Sequence, residues 1–203
     1  MSIADKLEAV ADVVYEKGKQ AQYDEFWDTL QANGASKSYQ YAFGGRLWSD
    51  ATFKPKYALN GTSFFRCFAE SAIKTIEKTI DLTKVTGSTS MQNMFNNADI
   101  VKISEFLVSE DTTFHNTAFN GCTALVTLNM TGTIGKNNLS LIACTKLSEA
   151  SILSILRACN KENSNVTITL PANKESVING NSELLEELTR ATNETYKYKI
   201  AYS

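Results

Sequence analysis

Phe119-Asn-Gly-Cys-Thr-Ala-Leu125-Val-Thr-Leu128-Asn-Met130 carries the clearest structural pattern in this sequence of 203 residues. Its apolar side chains fall at positions 119, 122, 125, 128 and 130, a spacing that fits neither a lone amphipathic helix nor a lone strand. The pattern is typical of one coil of a solenoid, in which Phe and Cys pack a bend and a short strand then buries alternate side chains. We therefore predict a repeat protein, which favours a binding surface over an enzyme.

Three other segments carry weaker forms of the pattern: Phe68–Ile76, Phe95–Ile103 and Ile142–Leu147. When they are aligned on Ile73, Ile100, Leu125 and Leu147, the steps are 27, 25 and 22 residues. The last two steps lie in the range of leucine-rich repeats. The alternation predicts strands near residues 74–80, 101–108 and 126–130.

The N-terminal region reads as a helix from residue 3 to about residue 33. Ile3, Leu7, Val10 and Val14 form an apolar seam, and Asn33-Gly34 is a helix stop because both residues accept a left-handed backbone. The seam over residues 3–21 either packs on the core of its own chain or pairs two copies as a homo-oligomer.

The segment from residue 36 to residue 60 is rich in aromatic residues and poor in periodicity. Tyr39, Tyr41, Trp48 and Tyr57 are candidates for an aromatic platform that stacks against a sugar or a peptide. The alternative is a wrap that covers the apolar edge of the first coil. Either way, we assign residues 1–60 to a helical and aromatic N-terminal capping module.

The pattern changes near residue 148, where a C-terminal cap begins. Ser148 is a helix N-cap before Ile152 and Ile155, with the helix ending near residue 160. Residues 166–170 alternate as a strand, a second helix starts at residue 182, and residues 196–202 alternate as a last strand. The predicted fold class is α/β: a short leucine-rich-repeat solenoid over residues 61–203, with a helical N-terminal cap and an α/β C-terminal cap.

Charge and hydropathy exclude several classes of partner. Twenty basic and 22 acidic residues give a net charge of −2 without a basic block, which argues against nucleic acid. No apolar run reaches the roughly 18 residues of a membrane span, and the N-terminus lacks the pattern of a secretory signal. We expect a protein that is cytoplasmic as synthesised and not inserted in a membrane.

The sequence predicts no catalytic residue, no metal ligand and no cofactor. Cys67, Cys122, Cys144 and Cys159 include no C-x-x-C pair, and Cys122 and Cys144 occupy the same position of consecutive repeats, where a small buried side chain packs the corner. His115 is the only histidine, too few for a typical zinc site. Phosphate-binding glycine motifs and the G-x-S-x-G motif do not occur in the sequence.

A binding surface is predicted from the side chains that alternate outward along the strands. Such a ladder of small polar residues suits a broad hydrogen-bonding contact with a protein or a glycan, and it equally suits a plain solvated sheet. The candidates are Lys102, Val126, Thr127, Asn129, Thr131, Thr167 and Thr169.

Two motifs resemble a known family. The pattern Tyr23-Asp-Glu-Phe-Trp-Asp, Asn33-Gly34, Ala42-Phe43, Trp48 and Phe53-Lys-Pro-Lys-Tyr57 is similar to the N-terminal module of phage- and prophage-encoded proteins of Gram-positive bacteria. In those proteins the module leads into BspA-like leucine-rich repeats, which Thr117–Leu128 resembles; Ile142 stands at the aromatic position of the last repeat. The resemblance implies a virion-associated or adhesive surface protein and supplies no catalytic residues.

We therefore expect a non-enzymatic protein of phage origin that attaches to a protein or a cell-surface glycan through a solenoid face. One alternative is an enzyme that acts on a cell wall or glycan, using the aromatic platform for sugar stacking. Another is an oligomerisation adaptor that acts through the N-terminal helix.

Overall fold

The computed structural model describes residues 18, 20–22, 24–28, 38–46 and 48–203. The chain divides into two compact units, residues 1–34 and 35–203, whereas the boundary near residue 60 stays a prediction. In the first unit residues 20–22 and 24–28 are helical, and the Gln20 amide donates a hydrogen bond to Asp24 one turn later. The apolar seam over residues 3–14 and the stop at Asn33-Gly34 lie outside the described residues.

The second unit is built on parallel sheets. The first sheet contains β1 (Leu59–Asn60), β2 (Thr75–Ile76), β3 (Ile80–Asp81), β4 (Lys102–Val108) and β5 (Thr127–Gly132). Strands β2 and β3 both pair with one edge of β4, and β5 pairs with its other edge. The predicted strands at 101–108 and 126–130 are confirmed as β4 and β5, but the strand predicted at 74–80 is two short strands.

The C-terminal third combines a second parallel sheet with three helices. In chain order it contains β6 (Leu139–Ser140), α1 (Glu149–Ala158), β7 (Thr167–Leu170), α2 (Lys174–Asn179), α3 (Ser182–Thr192) and β8 (Lys199–Tyr202). Strand β7 lies between β6 and β8. The predicted α/β class is confirmed, as is the Ser148 cap, whose side chain accepts a hydrogen bond from the Ser151 amide. Helix α2 was not predicted from the sequence.

Successive turns of the chain stack on one another through backbone hydrogen bonds. The Phe43 amide donates to the Cys67 carbonyl, the Phe68 amide to Met94, and the Phe95 amide to Ala118, each at 2.8 Å. The paired residues lie about 25 positions apart in the sequence.

Three of these turns carry a pair of left-handed residues four positions apart, and the fourth carries one. Positive φ angles occur at Tyr41 and Gly45, then at Arg66 and Glu70, at Asn93 and Asn97, and at Gly121. Glycine and asparagine accept this conformation readily, whereas other residues are strained by about 1–2 kcal/mol. The left-handed conformation therefore recurs at equivalent turn positions even where the residue is neither glycine nor asparagine.

A file of phenylalanine rings runs through the core of the stacked turns. Phe43, Phe68, Phe95 and Phe119 lie with successive ring centroids 5.3, 5.3 and 5.1 Å apart. The next turn places Leu141 in the core and leaves Ile142 44% exposed. Our assignment of Ile142 to the aromatic position is wrong by one residue, because the Cys144 amide bonds to Leu141 as the Cys122 amide bonds to Phe119.

The apolar positions from which the repeat was predicted are buried. The set comprises Phe119, Cys122, Leu125, Leu128 and Met130 of the opening stretch, with Ile73, Ile100 and Leu147 at the equivalent positions of other turns. All four cysteines are free and buried, which confirms that Cys122 and Cys144 pack the interior.

Gly132, at the end of β5, lies where β4 and β5 approach each other closely. Its φ is +92°, and a Cβ atom there would lie 1.9 Å from the Val108 carbonyl oxygen. Gly45 has a similar φ of +74° but open space around its Cβ position. We expect Gly45→Ala to lower the free energy of unfolding by about 1–2 kcal/mol through backbone strain alone.

Gly132→Ala adds a steric clash to the same strain, so its loss should exceed that of Gly45→Ala by about 1–3 kcal/mol. Urea unfolding of both variants measures the difference. Equal losses would contradict the close contact between β4 and β5.

Candidate functional site

Helix α1 closes the free edge of β5 with serine hydroxyls. Ser151 Oγ accepts a hydrogen bond from the Leu128 amide at 2.9 Å and lies 3.0 Å from the Val126 carbonyl oxygen. Ser154 Oγ accepts from the Met130 amide at 3.1 Å and lies 3.0 Å from the Leu128 carbonyl oxygen. The two side chains thus occupy the hydrogen-bonding positions that another strand would fill.

A groove runs between the outward face of β5 and helix α1. Its main hollow is about 470 Å³, and a smaller hollow continues it and shares Asn129 and Ala150. The strand wall carries Thr127, Asn129, Thr131 and Gly132, and the helix wall carries Ala150, Leu153, Ser154 and Arg157. A concave surface with apolar lining and a few polar groups is the usual form of a binding site.

Three of the predicted surface residues line this groove. Thr127, Asn129 and Thr131 are two residues apart on β5 and therefore face the same side of the strand. The Asn129 amide donates to the Ser104 carbonyl at 3.1 Å, which leaves its side-chain oxygen open for a ligand. Thr131 Oγ1 is buried without a hydrogen-bond partner in the described part of the chain.

Lys102 extends the groove surface onto the neighbouring strand. It is in register with Thr127, and its ammonium group lies 3.1 Å from a Glu77 carboxylate oxygen. The hydrogen bond from Ser104, together with Lys102, lowers the pKa of Glu77 below its usual value. This end of the surface therefore carries a paired cation and anion rather than a net charge.

The remaining predicted surface residues do not join the groove. Val126 precedes β5, and its carbonyl oxygen accepts hydrogen bonds from the Ser148 amide and the Ser151 hydroxyl. Thr167 and Thr169 lie on β7, which belongs to the other sheet. The seven candidates therefore occupy more than one surface.

Arg157 brings charge to the far end of the groove. Its guanidinium group contacts Glu183 at 2.8 Å and Glu187 at 3.5 Å. Arg190 contacts Glu187 at 2.6 Å, and Arg190, followed by Arg157, lowers the pKa of the Glu187 carboxyl. The acidic face of α3 is thus ion-paired with α1.

The structure corrects the predicted aromatic platform. Tyr39 is only 2% exposed and stacks on Phe64 in the core, so it cannot contact a ligand at the surface. Trp48 and Tyr57 are half-buried, and Trp48 packs edge-on against Phe43. Tyr41 alone of the four is largely exposed, at 60%.

His115 lies in a local turn contact. Its Nδ1 atom accepts a hydrogen bond from the Thr117 amide and lies 2.9 Å from the Thr117 hydroxyl. That hydroxyl also accepts from the Asn93 amide of the adjacent turn. Among the described residues, no three His, Cys, Asp or Glu side chains come together as metal ligands.

Sequence reasoning missed the helix wall of the groove. Ser151 and Ser154 are three residues apart on α1, so they lie near one another on the helix. The sequence signal was the presence of serines among the apolar positions of an amphipathic helix. Their role as hydrogen-bond partners became clear only once β5 was seen to lie beside the helix. Arg157 carried no local signal for its ion pairs with α3.

Comparison with known proteins leaves the groove unassigned. No protein-family model matches the chain, and it has no significant similarity to a curated protein or to a solved structure. The resemblance to BspA-like proteins therefore stays a prediction. In the described part of the chain, no helix has the length and apolarity needed to cross a membrane.

The hydrogen bonds between the Ser151 and Ser154 hydroxyl groups and β5, called the serine seal, can be tested by removing both hydroxyl groups. In Ser151→Ala with Ser154→Ala, the Leu128 and Met130 amides lose their acceptors, and a buried unpaired group costs about 1–3 kcal/mol. We expect a lower free energy of unfolding and faster hydrogen exchange at those two amides.

Ser176→Ala is the matched control, because the Ser176 hydroxyl is exposed and has only a long contact, 3.4 Å, with the Asn173 carbonyl. It should change stability by less than about 0.5 kcal/mol. Unchanged exchange at Leu128 and Met130 in the double variant would show that α1 does not seal β5.

The cysteines give a second test. Burial raises the pKa of Cys144 and of Cys159 to about 12 and raises the pKa of Cys67 and of Cys122 as well. Because the thiolate is the reactive species, all four thiols should be inert to Ellman's reagent at neutral pH and react only after denaturation. Thr123→Cys, at an exposed position, is the positive control. A native cysteine that reacts as fast as Cys at position 123 would contradict this packing.

Proposed function

We propose that this chain is a short leucine-rich-repeat solenoid with an α/β C-terminal cap that serves as a non-enzymatic attachment protein. Support for the repeat comes from the turns stacked by backbone hydrogen bonds, the file of phenylalanine rings, and the left-handed pairs that recur from turn to turn. In such an architecture the outward face of the strands is free to vary while the inward face holds the core.

The proposed setting is a phage or prophage particle, with the protein made in the cytoplasm and then associated with the virion. The motifs at Tyr23–Tyr57 and Thr117–Leu128, which resemble phage-encoded BspA-like proteins, support this setting. Attachment to a host or to another particle protein is the role that follows.

The groove between β5 and α1 carries the proposal, and a protein segment is the ligand it suits best. Its lining combines apolar Ala150 and Leu153 with hydrogen-bonding Asn129. The described lining residues include no aromatic side chain, which sugar-binding sites commonly use for stacking. Strand β5 is about 20 Å long at roughly 3.3 Å per residue, enough to contact an extended segment of similar length.

Obstructing the groove tests the proposed function. Ala150 is exposed on α1 and lines both hollows, so Ala150→Arg fills the groove without removing a core side chain. Ala172→Arg makes the same change at an exposed alanine before α2. We expect a random peptide library panned on the native protein to yield binders whose affinity falls at least about tenfold in Ala150→Arg.

Affinities of those peptides should stay within about twofold of native for Ala172→Arg, because surface changes away from a site rarely matter. Fluorescence polarisation titrations provide the measurement. Equal binding to native protein and Ala150→Arg, or panning without any enriched peptide, would refute the groove as a peptide site.

A further inference from the structure

The left-handed turn positions hold three residues that the backbone geometry does not favour. Gly45, Asn93, Asn97 and Gly121 suit a positive φ, as expected for glycine and asparagine. Tyr41, Arg66 and Glu70 occupy equivalent positions in the first two turns, with φ angles of 57°, 49° and 59°. Strained backbone held in place by its surroundings is a recognised feature of ligand sites.

These three residues converge on one hollow. It measures about 400 Å³ and is lined by Tyr41, Arg66 and Glu70 together with Gly44 and Gly45. The Arg66 guanidinium lies 6.0 Å from the centre of the Tyr41 ring and 3.7 Å from a Glu70 carboxylate oxygen. Within the stacked turns, the residues other than glycine and asparagine that adopt a positive φ are thus neighbours, whereas Lys197, with a φ of 58°, lies in the C-terminal third.

The Tyr41 ring is available to a ligand. Phe65 packs against it in an edge-to-face arrangement, with ring centroids 5.3 Å apart. Tyr41 nevertheless stays 60% exposed, compared with 44% for Ile142 and 42% for Leu185. An exposed aromatic ring offers a stacking surface at little cost in side-chain entropy.

The polar partners select the kind of ligand. Arg66 presents guanidinium donors, and Glu70 presents carboxylate acceptors. Their side chains stay 40% and 58% exposed, so both can reach a ligand. Because the two charges offset each other, the hollow does not favour a phosphate or another anion. One donor group and one acceptor group beside an aromatic ring match a neutral sugar, whose hydroxyl groups both donate and accept and whose C–H face stacks on the ring.

We propose that Tyr41, Arg66 and Glu70 form a carbohydrate-binding subsite, with the sugar face stacked on Tyr41 and its hydroxyl groups held by Arg66 and Glu70. This site is separate from the groove between β5 and α1, and it does not depend on the proposed peptide contact. It assigns the protein a second ligand class.

The test replaces the strained residues with the type that the next turn uses. In Tyr41→Asn with Arg66→Asn and Glu70→Asn, the backbone strain is relieved and the binding groups are lost. We expect the urea midpoint to rise or stay level, while binding of neutral oligosaccharides selected on a glycan array falls at least tenfold. Saturation-transfer NMR and calorimetry with a selected oligosaccharide measure the affinity.

Two single variants sharpen the result. Tyr41→Phe keeps the ring and should retain binding within about threefold, because stacking needs the ring face rather than the hydroxyl. Asn93→Gly changes the equivalent position of the next turn, outside the hollow, and should bind sugars as the native protein does.

The proposal is overturned if the native protein retains no glycan on the array, or if the triple variant binds the selected oligosaccharide within twofold of native. Tighter binding of charged glycans than of neutral glycans would also contradict it. Peptide binding in the β5–α1 groove should be the same in the triple variant, so failure of one proposal is separable from failure of the other.

Discussion

Stacking of phenylalanine rings along the core sets the step between neighbouring turns. The centroids of Phe43, Phe68, Phe95 and Phe119 are 5.1 to 5.3 Å apart, close to the spacing of about 4.8 Å between hydrogen-bonded strands. Side chains and backbone can therefore advance together by the same distance. This match lets the Phe68 and Phe95 amides reach the carbonyl oxygens of the next turn while the rings stay in contact.

The end of that file of rings coincides with a change in architecture. After Phe119 the buried position is held by Leu141, and the chain then enters α1 instead of adding a strand to β5. Ser151 and Ser154 satisfy the backbone of β5, and the next strands form a separate sheet of β6, β7 and β8. The groove exists because a helix, which is wider than a strand, lies where a strand would otherwise pack.

Much of the fold was predictable because buried side chains recur at regular spacings, and the apolar residues of the sequence show those spacings. The apolar spacing of Phe119–Met130 predicted its packing correctly, and Ser148 predicted the start of α1 because an N-cap is a local chemical event. Contacts between distant segments were not readable in the same way. Leu141 and Ile142 are both apolar, so only the backbone hydrogen bond from Cys144 distinguishes the buried residue from the exposed one.

In the candidate sites, too, local features were predictable and contacts between distant segments were not. Thr127, Asn129 and Thr131 were predicted as outward residues because strand side chains alternate, but nothing local indicated that α1 would form the opposite wall. Tyr39 and Tyr41 are both aromatic and two residues apart. Tyr41 has a left-handed backbone, with a φ of 57°, and its side chain is exposed. Tyr39 lies in the core.

The serine seal also has a consequence for how the groove can change in sequence. Ser151 and Ser154 form their hydrogen bonds to β5 with main-chain atoms of Val126, Leu128 and Met130. These hydrogen bonds do not involve the side chains of the strand. The same two serines would therefore satisfy the backbone of a strand with other outward residues, so the groove wall on β5 can change in sequence while this edge stays closed.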